Sequence, residues 1–144
     1  MTSRMLIAMT AAVAIIAGEA AGKVSSAEDQ PITRTELLRS DLAGIEGKET
    51  VIYIADLKPG AVGGKHTHFG DEFVYILEGE LIVAPAGADH PPAGKEPIIL
   101  KVGDVGHLTP DVVHAARNGS ESETAKVLVI LVVDKGKPLA EAVK

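Results

Sequence analysis

From Thr50 to Val133 the chain repeats one pattern: a short run rich in Val, Ile, Leu and Tyr, then a turn signal. Seven runs are readable: Thr50 to Leu57, Glu72 to Leu77, Glu80 to Ala84, Ile98 to Val102, Val105 to Thr109, Val112 to Arg117 and Lys126 to Val133. The signals between them include Lys58-Pro59-Gly60, Glu78-Gly79, Gly103-Asp104 and Asn118-Gly119. Runs of five to eight residues, β-branched and closely punctuated, predict an all-β sandwich or barrel rather than helices. Glu78-Gly79 and Asn118-Gly119 read as tight hairpin turns. Pro85 to Pro97 holds four prolines and reads as a loop tipping a hairpin at the barrel mouth.

Between the first two runs lies a cluster of chemically active residues. Gly60 is followed after five residues by His66, then His68, then Glu72 after three more, and Gly79 after six. Two histidines at i and i+2 on a strand face the same side, and the Phe69-Gly70-Asp71 turn can return Glu72 to the same point. Imidazole and carboxylate are good ligands for a divalent transition metal. The chain has no cysteine, so thiolate ligands and disulfides are excluded. A second segment supplies the expected fourth ligand, His114, in register with Gly103 and Asn118.

Together the two segments resemble the cupin superfamily. The first cupin motif is matched at every fixed position by Gly60, His66, His68, Glu72 and Gly79. The second is matched by Gly103, His114 and Asn118, but Thr109 stands where that motif has Pro and Asp111 where it has Gly. The resemblance covers about Thr50 to Val133. It implies a single double-stranded β-helix (jelly-roll) barrel holding one divalent transition metal, Fe, Mn, Cu, Ni, Co or Zn, on His66, His68, Glu72 and His114. Four protein ligands leave one or two positions of an octahedral ion open to water, dioxygen or a substrate oxygen. Small cupins pair through a barrel face and an N-terminal arm, so a homodimer is also expected.

Other residues have blander readings. Gly60, Gly79 and Gly103 read as turn glycines, Asn118, Asp71 and Asp104 as turn residues. Asn118-Gly119-Ser120 matches a glycosylation sequon, a weaker reading than the turn. His107 lines the pocket or lies on the surface, and His90 is expected in solvent. Phe69, Phe73 and Tyr75 read as core or pocket wall. Lys65 and Arg117 are the only cations close to the motifs, which weakens a strongly anionic substrate.

The ends of the chain read differently. Arg4 precedes a 14-residue run, Met5 to Gly18, without a charge, and Ser25-Ser26-Ala27 follows as a cleavage site. This is the layout of a signal peptide over 1–27, and the run is short for a membrane span; an uncleaved anchor is the alternative. The mature protein is therefore expected in the periplasm or secreted, with no stable membrane span after cleavage. Residues 28–49 form an N-terminal arm in which Thr33 and Glu36 have capping-box spacing. The arm is either a turn of helix or an extended segment laid along a partner. Residues 50–134 form the barrel and 135–144 a polar, loosely ordered tail. The formal charge of −6 and the lack of a basic patch argue against nucleic acid as a partner.

The functional expectation is a secreted metal-binding protein acting on a small organic molecule, with dioxygenase-like oxidation as the leading chemistry. The alternative is a non-catalytic binder of a small ligand or of the metal itself. Fold and metal site do not by themselves choose a reaction.

Overall fold

The structure is a computed structural model and describes residues 31–85, 96–110 and 112–144. The expected signal segment, His90, Asp111 and most of the proline-rich loop lie outside the described residues. Among the described residues there are ten β-strands. They are β1 (Ile32–Asp41), β2 (Lys48–Leu57), β3 (His66–Thr67), β4 (Gly70–Glu78), β5 (Glu80–Pro85), β6 (Ile98–Lys101), β7 (Val105–Leu108), β8 (His114–Asn118), β9 (Ala125–Asp134) and β10 (Glu141–Ala142). No helix there is long and apolar enough to cross a membrane.

The strands form two five-stranded sheets, ordered β1-β2-β9-β4-β7 and β10-β3-β8-β5-β6. Every pairing between these strands is antiparallel. The inner face of the first sheet follows strict alternation. Val51, Tyr53, Ala55 and Leu57 of β2 point inward, as do Val127, Val129, Leu131 and Val133 of β9. With Val74, Ile76, Leu81, Val83 and Leu100 they make one continuous core between the sheets. Each such side chain contributes about 1.5–3 kcal/mol by leaving water.

All seven expected runs are strands, to within two residues at most boundaries. Three local expectations fail. The helical reading of residues 32–41 fails: they are extended and form an edge strand on β2, with Ile32 opposite Leu57 and Asp41 opposite Glu49. Thr33 and Glu36 are therefore extended, and tertiary pairing overrides the capping-box signal. Glu78-Gly79 and Asn118-Gly119 are not hairpin turns, because the strands they join lie in different sheets. They are corners between the layers. At Gly79 the backbone has φ 73°, and a Cβ would lie 2.9 Å from Ala125 Cα, so both torsion and space require glycine. The polar tail is not loose either: Glu141 and Ala142 pair with Thr67 and His66.

Candidate metal centre

Two sheets and one corner bring the candidate ligands together. His66 on β3 stands directly opposite His114 on β8. Beyond β3 the chain bends at Phe69 and crosses into the first sheet at Gly70. A Cβ on Gly70 would collide with the Val132 carbonyl, so glycine there lets β4 start against β9. His68 sits just past the end of β3, in this corner. Glu72 then points inward from β4, opposite Leu108 on one side and Leu131 on the other.

The three imidazoles can each present a nitrogen such that all three lie within 4.8 Å of one another, about twice a metal–imidazole bond of ~2.1 Å. Ring centroids are 4.3 Å apart for His66 and His114, 4.9 Å for His66 and His68, and 5.3 Å for His68 and His114. His68, Glu72 and His114 are buried and His66 is half-buried. Glu72 Oε2 lies 3.2 Å from both His68 Nε2 and His114 Nε2.

The tautomers follow from what each ring touches. His66 Nδ1 donates to the Gly64 carbonyl at 2.8 Å, His68 Nδ1 to Leu139 at 2.5 Å and His114 Nδ1 to Val112 at 3.0 Å. A carbonyl only accepts, so each Nδ1 carries its hydrogen and each neutral ring has its lone pair on Nε2. Two such lone pairs then face one carboxylate oxygen, which is repulsive unless a cation or protons intervene. The buried His68 Nε2 has no hydrogen-bond partner; Glu72, although near, lies off the line a hydrogen bond needs. A divalent ion accepting these lone pairs and Glu72 satisfies all of them at once. The residues therefore fit a transition metal, and the Nδ1–H···O=C contacts are the outer support such ligands use.

The electrostatics agree. Burial would push the Glu72 carboxyl up, but His114 and His68 outweigh it and hold it at about 2. Burial pulls His68 down, and the Glu72 carboxylate and Leu139 carbonyl more than reverse this, raising it above the ordinary value. Burial lowers His66.

A pocket of about 60 Å³ opens onto His66, His114 and Glu72. Its walls are apolar, with Ile32, Leu57, Val74 and Leu108 among them. Two polar residues not singled out in the sequence also line it, Arg34 of β1 and Tyr53 of β2. Tyr53 shares the parity of Val51, Ala55 and Leu57, so alternation alone places it inside. Arg34 was hidden, because its side depends on the register of β1 against β2. Lys65 and Arg117, the cations nearest the motifs in sequence, do not line this pocket.

The remaining readings divide. Gly60, Gly79 and Gly103 all have positive φ, as turn glycines do. Asn118 is 1% exposed and structural: its amide donates to the Leu57, Lys58 and Glu123 carbonyls and its Oδ1 accepts from Ser120 N–H. A fully engaged, buried amide is not a glycosylation acceptor. Asp104 is a turn residue, accepting from Lys101 N–H at 2.8 Å, whereas Asp71 is on β4. His107 is on the outer face, stacked on Phe73 at 4.5 Å and 2.8 Å from Asp71. Phe73 and Tyr75 share that outer face, so neither is core or pocket wall; the alternation of β4 assigns the inside to Glu72, Val74 and Ile76.

A family model described as a cupin domain matches residues 53–131. No curated protein matches the sequence significantly. A cupin-like protein of Thermotoga maritima superposes with TM-score 0.58 at 25% identity, over 78% of this chain and 75% of its own. A cupin superfamily protein of Desulfitobacterium hafniense gives 0.56 at 22%, over 74% and 80%. A DMSP lyase of Ruegeria pomeroyi gives 0.58 at 20%, over 82% and 55%.

Proposed function

The chain belongs to the cupin domain family, and from that premise we propose that it binds one divalent transition metal through His66, His68, Glu72 and His114 and acts on a small organic molecule in the adjoining pocket. The observation that carries this reading is the set of three Nδ1–H anchors, which aim three Nε2 lone pairs and one carboxylate at a common point. The ion supplies Lewis acidity and, if redox-active, chemistry with dioxygen. The chain supplies neutral, fixed imidazoles, one anionic ligand and an apolar wall that limits water. Glu72 can take up a proton if it leaves the metal. Oxidation by dioxygen is the reaction class proposed, and the lyase from Ruegeria pomeroyi is an enzyme on the same fold.

A non-catalytic binding role is the second reading. Among the described residues Glu72 is the only carboxylate lining the pocket, so once it is a ligand none of them offers a second carboxylate there as general base. We further propose export, supported by the leader-like residues 5–18, and a homodimer.

Elemental analysis of the purified chain tests the metal. The expected result is about one equivalent in the wild type, lost in His66→Ala and in His114→Ala. Stoichiometric metal surviving both changes overturns the assignment. Oxygen uptake with phenols, diketones and thiols on metal-loaded protein tests the reaction; no turnover with any metal favours the binding role.

A further inference from the structure

Among the described residues Arg34 is the one cationic side chain lining the pocket, and it enters no ion pair there. The nearby carboxylate on its own strand, Glu36, is taken by Arg39 at 2.9 Å. The Tyr53 hydroxyl lines the same pocket, and the Arg34 charge acts on it in the direction that favours the phenolate. A phenol has one hydrogen to give to an acceptor. Burial pushes the Tyr53 phenol up to about 12, so the donor persists at physiological pH.

The charge balance favours an anion. A divalent ion on three neutral imidazoles and Glu72 leaves one positive charge at that end of the pocket. Arg34 adds another, and no further acidic side chain is among the lining residues. Apolar walls concentrate that field. The cavity of about 60 Å³, at ~10–15 Å³ per water-sized position, has room for about four to six non-hydrogen atoms.

We propose that the pocket binds a small monocarboxylate, its carboxylate held by Arg34 and the Tyr53 hydroxyl and its other end facing His66, His114 and Glu72. This rests on the metal reading for the far end of the ligand, and on Arg34 and Tyr53 for its charge. It also reverses the expectation from the sequence that the pocket disfavours anions.

The test is calorimetric titration of metal-loaded protein with lactate and with lactamide, its neutral counterpart of equal size. Lactate is expected to bind at least tenfold more tightly than lactamide. Arg34→Gln should weaken lactate about tenfold or more, as loss of a charge-assisted pair does, and leave lactamide and metal content unchanged. Arg34→Lys should recover part of the loss, and Tyr53→Phe should weaken lactate by a smaller factor. The proposal is overturned if lactate does not bind or the two ligands bind alike. It also fails if Arg34→Gln weakens both equally, which would show a merely structural role. The metal reading fails separately: if elemental analysis finds no bound metal while lactate is still preferred through Arg34, the anion site stands and the metal assignment falls.

Discussion

Tyr53 shows how one inward-facing polar side chain couples pocket to stability. It is 5% exposed, and desolvation, followed by the Glu72 carboxylate, raises its phenol from 10.0 to about 12, against an opposing effect of Arg34. In the unfolded chain the phenol ionises near 10; in the folded chain it holds its proton to about 12. Unfolding therefore releases a proton between these values, and stability falls as pH rises through that window. The contribution is fully present below pH 10 and exhausted above 12. Two units at 1.36 kcal/mol each set the loss at about 2–3 kcal/mol. Urea unfolding at pH 9 to 12 should show this fall in the wild type and a shallower one in Tyr53→Phe. Equal slopes for the two proteins would refute the assignment. The three clustered histidines were legible from their spacing and the family resemblance; Tyr53 was legible from parity, yet carries no motif to draw notice.

The elements are tied at their corners by residues that read as ordinary turn formers. Asn118 closes β8 and reaches across to the carbonyls of Leu57 and Lys58 at the end of β2 and Glu123 before β9. Asn118→Ala removes the buried amide that donates to three carbonyls and accepts from the Ser120 N–H, and should cost about 2–4 kcal/mol. Chemical denaturation should find that loss with metal content retained once the protein is folded; a change under about 0.5 kcal/mol would refute the corner role. The same corner shows what sequence could not reveal. Strand identity survives in the sequence because apolar alternation is local: β2 and β9 alternate buried and half-buried along ten residues each. Pairing is not local, so Glu78-Gly79 and Asn118-Gly119 look like hairpin turns although each passes between sheets. β1 and β10 were missed for a related reason. Both are edge strands with mostly exposed residues, and a polar strand has no periodic signature until a neighbour fixes it. The bulge between Glu36 and Leu38 breaks even the parity of β1, which hid Arg34.

Sheets buried on one face should carry polar residues on the other, and here the first sheet departs from that rule. Its outward rows run Leu38, Ile52, Ile130 and Phe73 in one line and Ile54, Leu128, Tyr75 and Val105 in the next. Opposite charges close the central strand pair at both ends, Lys48 with Asp134 at 2.6 Å and Lys126 with Asp56 at 3.9 Å. An apolar centre with a charged rim is the anatomy of a protein interface. With strands ~4.8 Å apart and rows ~6.8 Å apart, two rows across four strands cover about 260 Å². The occupant we infer is a second copy of the chain, since a two-fold axis through the β2–β9 pair sets apolar rows on apolar rows and lets charged ends meet their opposites. In sedimentation equilibrium the metal-loaded wild type should weigh as a dimer at micromolar concentration. Ile130→Glu, at the centre of the patch and on the side away from the ligands, should weigh as a monomer with unchanged metal content. A monomeric wild type, or a variant that stays dimeric, would show that this face is covered by something else or by nothing.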